Sequence, residues 1–251
     1  MSKSLFLIKT LVNQGVRIFS LGQVREFAQT QDLQPSYITE ALHHLTRQGW
    51  ITRLKNGLYM VSDSSGFSPT PHDYEIALAL VSPSFISHWT ALHYHQLTQQ
   101  IPRTTFLSTP KGTSIPRSID RSQFCYIQVT RDQFFGFNNV WIEDARIPIT
   151  DIEKTLLDGL AHPQYCGGFF EVLDAFKVGR KNLNYDKIFS YSLKMNAAVR
   201  ARLGWVLEHI KYDNVIVEQL LEHLPTRSRK LDATGLLEGP INKKWKIQEN
   251  L

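Results

Sequence analysis

The chain has 251 residues, 42% hydrophobic and 20% charged, with a formal net charge of +5. That is enough chain for one large domain or two smaller ones with proper cores. No apolar run approaches the ~18–20 residues of a membrane span. Met1-Ser2-Lys3-Ser4-Leu5 lacks the apolar stretch of a signal peptide, and Cys125 and Cys166 form no metal or redox motif. We therefore expect a cytoplasmic protein with reduced thiols, no membrane partner and no cofactor.

Residues 4–14 predict a first helix, with Leu5, Ile8, Leu11 and Val12 on one stripe and Gly15 at its end. Val16-Arg17-Ile18-Phe19 reads as a short strand that pairs with a later hairpin. Ser20 caps a second helix holding Leu21, Val24, Phe27 and Ala28. Residues 29–34 are a polar connection. In the third helix Ile38, Ala41, Leu42 and Leu45 fall at i, i+3, i+4 and i+7. Ser36 is its expected cap, with Pro35 just before it, and Gly49 stands where a C′ residue needs positive φ. Trp50 to Tyr59 then reads as a hairpin around Asn56-Gly57, a pair that favours a tight primed turn. Helix, strand, helix, turn, helix, hairpin is the order of the winged helix-turn-helix. In that arrangement the last helix enters the major groove and the wing touches backbone or minor groove.

This reading makes Ser36, Tyr37, Thr39, Glu40, His43 and Arg47 the groove-facing candidates, with Arg53, Lys55 and Asn56 on the wing. Charge agrees with it. Residues 1–62 hold seven Lys/Arg against three acids, whereas residues 63–224 are net −2. A positive N-terminal segment is the electrostatic footprint of a phosphate-binding surface. The plain alternative is that helix and hairpin are scaffold with a solvated face.

Ser64-Ser65-Gly66, Pro69 and Pro71 mark residues 63–71 as a linker. It separates a first domain, 1–62, from a second, 72–251. In the second, helices are expected over 73–81, within 84–97, from Thr150 or Asp151 through Leu160, and over 169–178, 185–193, 197–210 and 215–224. Strands are expected at 104–109, 124–129, 140–142 and 145–149. The tail from Pro225 reads as irregular, with a final strand around Trp245-Lys246-Ile247. The whole is α+β: an N-terminal winged helix-turn-helix followed by a larger mixed α/β domain.

Catalytic chemistry is hard to place. His88, His93 and His95 have poor metal-ligand spacing, and helix-start capping and packing suit them better. Glu153 and Asp158 are five apart and do not share a helix face well, while Asp151 is explained as a cap. Gly167 and Gly168 lack a phosphate-loop context. The tail carries Arg227, Arg229 and Lys230, and further on Lys243, Lys244 and Lys246. The first three are candidates for a partner contact, to an acidic protein surface or a nucleic acid, against the alternative of a solvated terminus.

Five stretches in order also resemble one family. Arg47-Gln48-Gly49-Trp50-Ile51-Thr52-Arg53-Leu54-Lys55-Asn56-Gly57-Leu58-Tyr59 resembles the wing of AbiEi-type antitoxins from abortive-infection toxin–antitoxin pairs. The run Ile86 to Leu97, the stretch Asp151-Ile152-Glu153-Lys154-Thr155-Leu156-Leu157-Asp158, the pair Gly167-Gly168 and the run Arg202 to Glu208 are similar to its later blocks. Thr90 and Gln96 depart from the usual Ser and Gly. The resemblance implies a winged helix that binds double-stranded DNA at its own operator. It also implies a second domain that counteracts a nucleotidyltransferase-like toxin in phage defence. From the residues themselves no catalytic residue and no metal site is expected. In that reading Arg202 and Glu208 form an ion pair, buried or partner-facing. Two other readings remain open: a protein–protein module that binds without DNA, and an enzyme such as a nuclease or nucleotidyltransferase relative with an unrecognised site.

Overall fold

The apolar stripes of the first 62 residues become α1 (Lys3–Asn13), α2 (Leu21–Gln29) and α3 (Pro35–Arg47), with β1 (Ile18–Ser20), β2 (Ile51–Lys55) and β3 (Leu58–Val61) between and after them. The computed structural model describes residues 3–30, 34–62, 65–66, 70–112, 117–212 and 215–251. The expected linker, residues 63–71, lies mostly outside these. The chain divides into two compact units, residues 1–82 with 114–121, and residues 83–113 with 122–251.

In the first unit Ser20 closes a capping box: its hydroxyl accepts from Gln23 N, and the Gln23 side chain accepts from Ser20 N. β1 and β2 both pair antiparallel with β3, giving the order β1-β3-β2. Ile8, Leu11, Phe19, Val24, Ile38, Leu42, Leu45 and Ile51 close one core beneath the sheet and helices. Two expectations need correction. Gln34, not Ser36, is the N-cap of α3, and Pro35 takes the first helical position. Proline's preset φ and missing N–H suit that position, so the helix begins earlier. The hairpin turn is not a primed type I′ turn. Gly57 has φ 71°, Asn56 is not in the positive-φ region, and an irregularity between Arg53 and Lys55 adjusts the register instead.

α4 (Asp73–Leu80) groups with this first unit, beyond the expected boundary at 62–71. Arg17 forms an ion pair with Glu75 at 3.2 Å. Lys55 Nζ donates to Leu80 O at 2.6 Å, satisfying a carbonyl at the C-terminal end of α4.

The second unit contains β4 (Phe85–Ile86), α5 (His88–Tyr94) and β5 (Thr104–Thr109). The two-residue strand β6 (Ser118–Ile119) follows, in a segment that groups with the first unit. Then come β7 (Ser122–Gln128), β8 (Phe137–Ile142), β9 (Ala145–Thr150), α6 (Ile152–Ala161), α7 (Phe169–Gly179), α8 (Tyr185–Leu193), α9 (Ala197–His209) and α10 (Val215–Leu221). Strands β7, β5, β4, β9 and β8 lie side by side in that order, with parallel β5/β7 and β4/β9 pairs and antiparallel β4/β5 and β8/β9 pairs. The architecture is mixed α and β. Among the described residues no helix is long and apolar enough to cross a membrane.

α6 is the central element, and every residue from Glu153 to Leu160 is buried. Asp151 caps it by accepting from Lys154 N at 2.9 Å. Lys154, fully buried, pairs with Asp158 and lies over the Phe135 ring. Glu153 accepts from Asn184 N at 2.9 Å and faces Lys187 at 3.0 Å. Each charge in the Asp151–Asp158 stretch thus has a partner that ties α6 to its own turn or to the start of α8.

The Arg202–Glu208 ion pair does not form. Arg202 donates to Leu160 O and Lys230 O, while Glu208 accepts from Lys244 and from Trp245 Nε1. Residues six apart on a helix sit far round its circumference, so each found other partners. The tail is also more ordered than expected. β10 (Arg229–Lys230), β11 (Ile241–Asn242) and β12 (Ile247–Gln248) form a small sheet in the order β10-β12-β11, and Trp245 is fully buried against α9.

Candidate nucleic-acid interface

α3 buries Ile38, Ala41, Leu42 and Leu45 and leaves Thr39, Glu40, His43 and Arg47 exposed, as a 3.6-residue period requires. The hairpin emerges directly after it, and its position is set from the other side. Leu21 N donates to Gly57 O at 2.8 Å, so the turn is tied to the first residue of α2. An added Cβ at Gly57 would meet Leu21 Cβ at 3.8 Å, and the positive φ there suits glycine.

These constraints bring helix and hairpin side chains around one groove of about 450 Å³. Thr39, His43 and Arg47 enter from α3. Arg53, Asn56 and Gly57 enter from the hairpin, and Tyr59 and Leu21 complete the lining. Among the described residues no acidic side chain lines it. Arg53 is held in place by its own turn: Nη2 donates to Asn56 Oδ1, and Nε to Lys55 O at 3.4 Å. A guanidinium has five N–H donors in a fixed fork, so several remain for an incoming oxyanion.

Five of the nine expected DNA-facing residues therefore share the groove: Thr39, His43, Arg47, Arg53 and Asn56. Tyr37 is half-buried, and exposed Glu40 does not line the groove. The side chain of Ser36 lies outside the described residues. Lys55 points elsewhere, to Leu80 O. Arg17, one of the N-terminal cations, is neutralised by Glu75. Thr46 lines the groove and was missed, although its spacing from Thr39 and His43 places it on the same helix face. Its hydroxyl donates to Leu42 O at 2.7 Å, so it offers a methyl more than a donor.

In the second unit the histidines take packing roles. His88 is fully buried at φ 53°, with Nδ1 2.8 Å from Ser87 Oγ. Burial lowers its pKa to about 4, against a smaller opposing pull from Asp158. His95 Nε2 meets Thr150 O at 2.6 Å, and burial lowers its pKa too. Gly167, at φ 81°, lies against Trp89, where a Cβ would come within 2.9 Å of the indole. Of the tail trio, Arg227 is exposed, while Arg229 and Lys230 line a cavity with Arg202.

No family model matches the chain, and no curated protein matches it either. Among solved structures, the fold is similar to the crystal structure of the RV2827C protein from Mycobacterium tuberculosis. The TM-score is 0.71 at 10% identity, and the match covers 98% of this chain and 91% of that one. Similarity at that identity extends to the fold alone.

Proposed function

We propose that this chain is a DNA-binding autorepressor and antitoxin whose first unit is a winged helix-turn-helix and whose second unit counteracts a nucleotidyltransferase-like toxin. One observation carries the DNA-binding half: α3 and the following hairpin place Arg47, Arg53, Asn56, Thr39 and His43 around a single groove with no acid among its described lining residues. A helix with exposed polar residues beside a basic hairpin supports major-groove reading by α3 and backbone contact by the hairpin. The antitoxin half rests on the resemblance of five ordered stretches to AbiEi-type antitoxins. The buried partners of Asp151–Asp158 explain one of those stretches as framework.

The test uses the full chain and a labelled fragment from upstream of its own gene. Fluorescence anisotropy should show binding that weakens steeply with salt. An Arg47→Ala/Arg53→Ala double variant should lose that binding and still rescue cells expressing the adjacent toxin. If the wild type binds no tighter to upstream DNA than to an unrelated duplex, the repressor reading fails. If it never rescues, the antitoxin reading fails separately.

A further inference from the structure

A cavity of about 620 Å³ opens in the second unit where the start of α9 meets β10. Three cations line it: Arg202, Arg229 and Lys230, with the Ser228 hydroxyl beside them and no carboxylate among the described lining residues. The acid that acts electrostatically on Arg202 is Asp232, whose Oδ1 is already held by Thr234 N and Oγ1.

Arg202 is the informative member. It is 7% exposed, yet it has no carboxylate within ion-pair distance among the described residues. Nε donates to Lys230 O at 3.0 Å and Nη1 to Leu160 O at 2.8 Å. Nη2 donates to none of the described residues. A buried guanidinium without a counter-ion is costly unless something else neutralises it. Burial accordingly lowers the pKa of Arg202, only partly offset by Asp232.

The surroundings favour an anion. Arg229 is exposed, and its guanidinium has no partner among the described residues. Lys230 uses one donor, on Gly235 O at 2.8 Å, and keeps two. Ala197 and Ala198, in the first turn of the thirteen-residue α9, also line the cavity, and first-turn amides have no intrahelical acceptor. Two guanidinium forks and an ammonium match the charge and oxygen geometry of a phosphate group better than those of a single carboxylate. The cavity is far larger than a lone phosphate needs and falls within the ~300–1,000 Å³ typical of small-molecule sites. The rest of its wall is Asn196, whose side chain caps α9 by accepting from Val199 N, with Ala161, Ala233 and an uncovered Leu237.

We infer that this cavity is a binding site for a phosphorylated small molecule of nucleoside-monophosphate size, with Arg202, Arg229 and Lys230 holding the phosphate. This is separate from DNA binding by the first unit and stands or falls without it.

Isothermal titration calorimetry on the full chain tests it with inorganic phosphate, adenosine 5′-monophosphate and adenosine. Inorganic phosphate should bind saturably, the monophosphate more tightly, and adenosine not at all. Affinity should fall as salt rises. Arg229→Glu should weaken the monophosphate at least about tenfold, because it places a carboxylate beside Arg202 in the ligand's stead. That side chain is exposed and has no partner among the described residues, so circular dichroism should be unchanged. Lys230→Ala should weaken binding in the same direction. The assignment is overturned if neither anion binds saturably, if adenosine binds as well as its monophosphate, or if both variants bind like wild type. Binding of inorganic phosphate alone would overturn the assigned ligand size.

Discussion

Gly204→Ala sets two opposing magnitudes against each other. In a bare helix the change is favourable by about 1 kcal/mol, because alanine is the better helix former. In this protein an ideal Cβ at residue 204 would lie 2.0 Å from Trp245 Cζ3 and 2.4 Å from Cε3 and Cη2. Carbon atoms in contact sit about 3.5–4.0 Å apart, so the indole must retreat by roughly 1.5 Å or α9 must shift. Trp245 is fully buried and has nowhere open to go. Its Nε1 donates to Glu208 at 2.6 Å, and losing that bond to a part-exposed carboxylate costs about 1.5 kcal/mol, the low end for a charged acceptor. That loss roughly cancels the propensity gain. What remains is the overpacking term, about 1–3 kcal/mol. Urea unfolding followed by tryptophan fluorescence and circular dichroism would read it as a lower midpoint at unchanged slope. In a Trp245→Leu background the penalty should shrink, since the larger ring is what the new methyl meets. If Gly204→Ala is as stable as wild type or more so, Trp245 does not press on α9 and the account of the tail sheet is wrong.

His88 gives a pH prediction. Its pKa falls from the usual 6.5 to about 4 in the folded chain. The unfolded state therefore takes up a proton first, and stability present above pH ~6.5 drains as pH falls towards 4, by about 3 kcal/mol in all. His95 and His162, also lowered by burial, act in the same direction. His88→Asn, a residue that tolerates positive φ, should flatten that slope in melts between pH 7 and 4; an unchanged slope would exclude His88 as its source. For the buried Lys154–Asp158 pair, Lys154→Met alone should cost about 3–5 kcal/mol, whereas Lys154→Met/Asp158→Leu should recover much of it. Equal losses in the single and double variants, measured by denaturant titration, would mean that the uncompensated Asp158 charge is not the source of the single variant's loss. On DNA, Arg47→Ala and Arg53→Ala should each reduce the salt slope by about 0.9. Lys55→Ala, whose ammonium is engaged with Leu80 O, should leave that slope nearly unchanged; the reverse ranking would move the interface off the groove.

Much of the local structure was legible in the residues themselves. Apolar spacing located α1, α2 and α3, Ser20 announced the start of α2, and Asp151 the cap of α6, because periodicity and capping act within a few residues. The outward face of α3 could be read the same way, and Thr46 could have been added by the same spacing. Other features depended on partners distant in sequence. Lys55 left the expected DNA face because Leu80, 25 residues on, offers a carbonyl. Arg17 is held in an ion pair by Glu75, 58 residues away. Arg202 missed Glu208 and turned to Leu160 and Lys230, which gather beside it only when α6 and β10 pack on α9. The tail looked irregular because its strands are two residues long, too short for any period, and they form only against one another. The sequence by itself determined which faces are apolar and where helices begin. The tertiary structure decided which charges remain free to meet a ligand, because a long cationic side chain takes whichever acceptor the folded backbone brings within its reach.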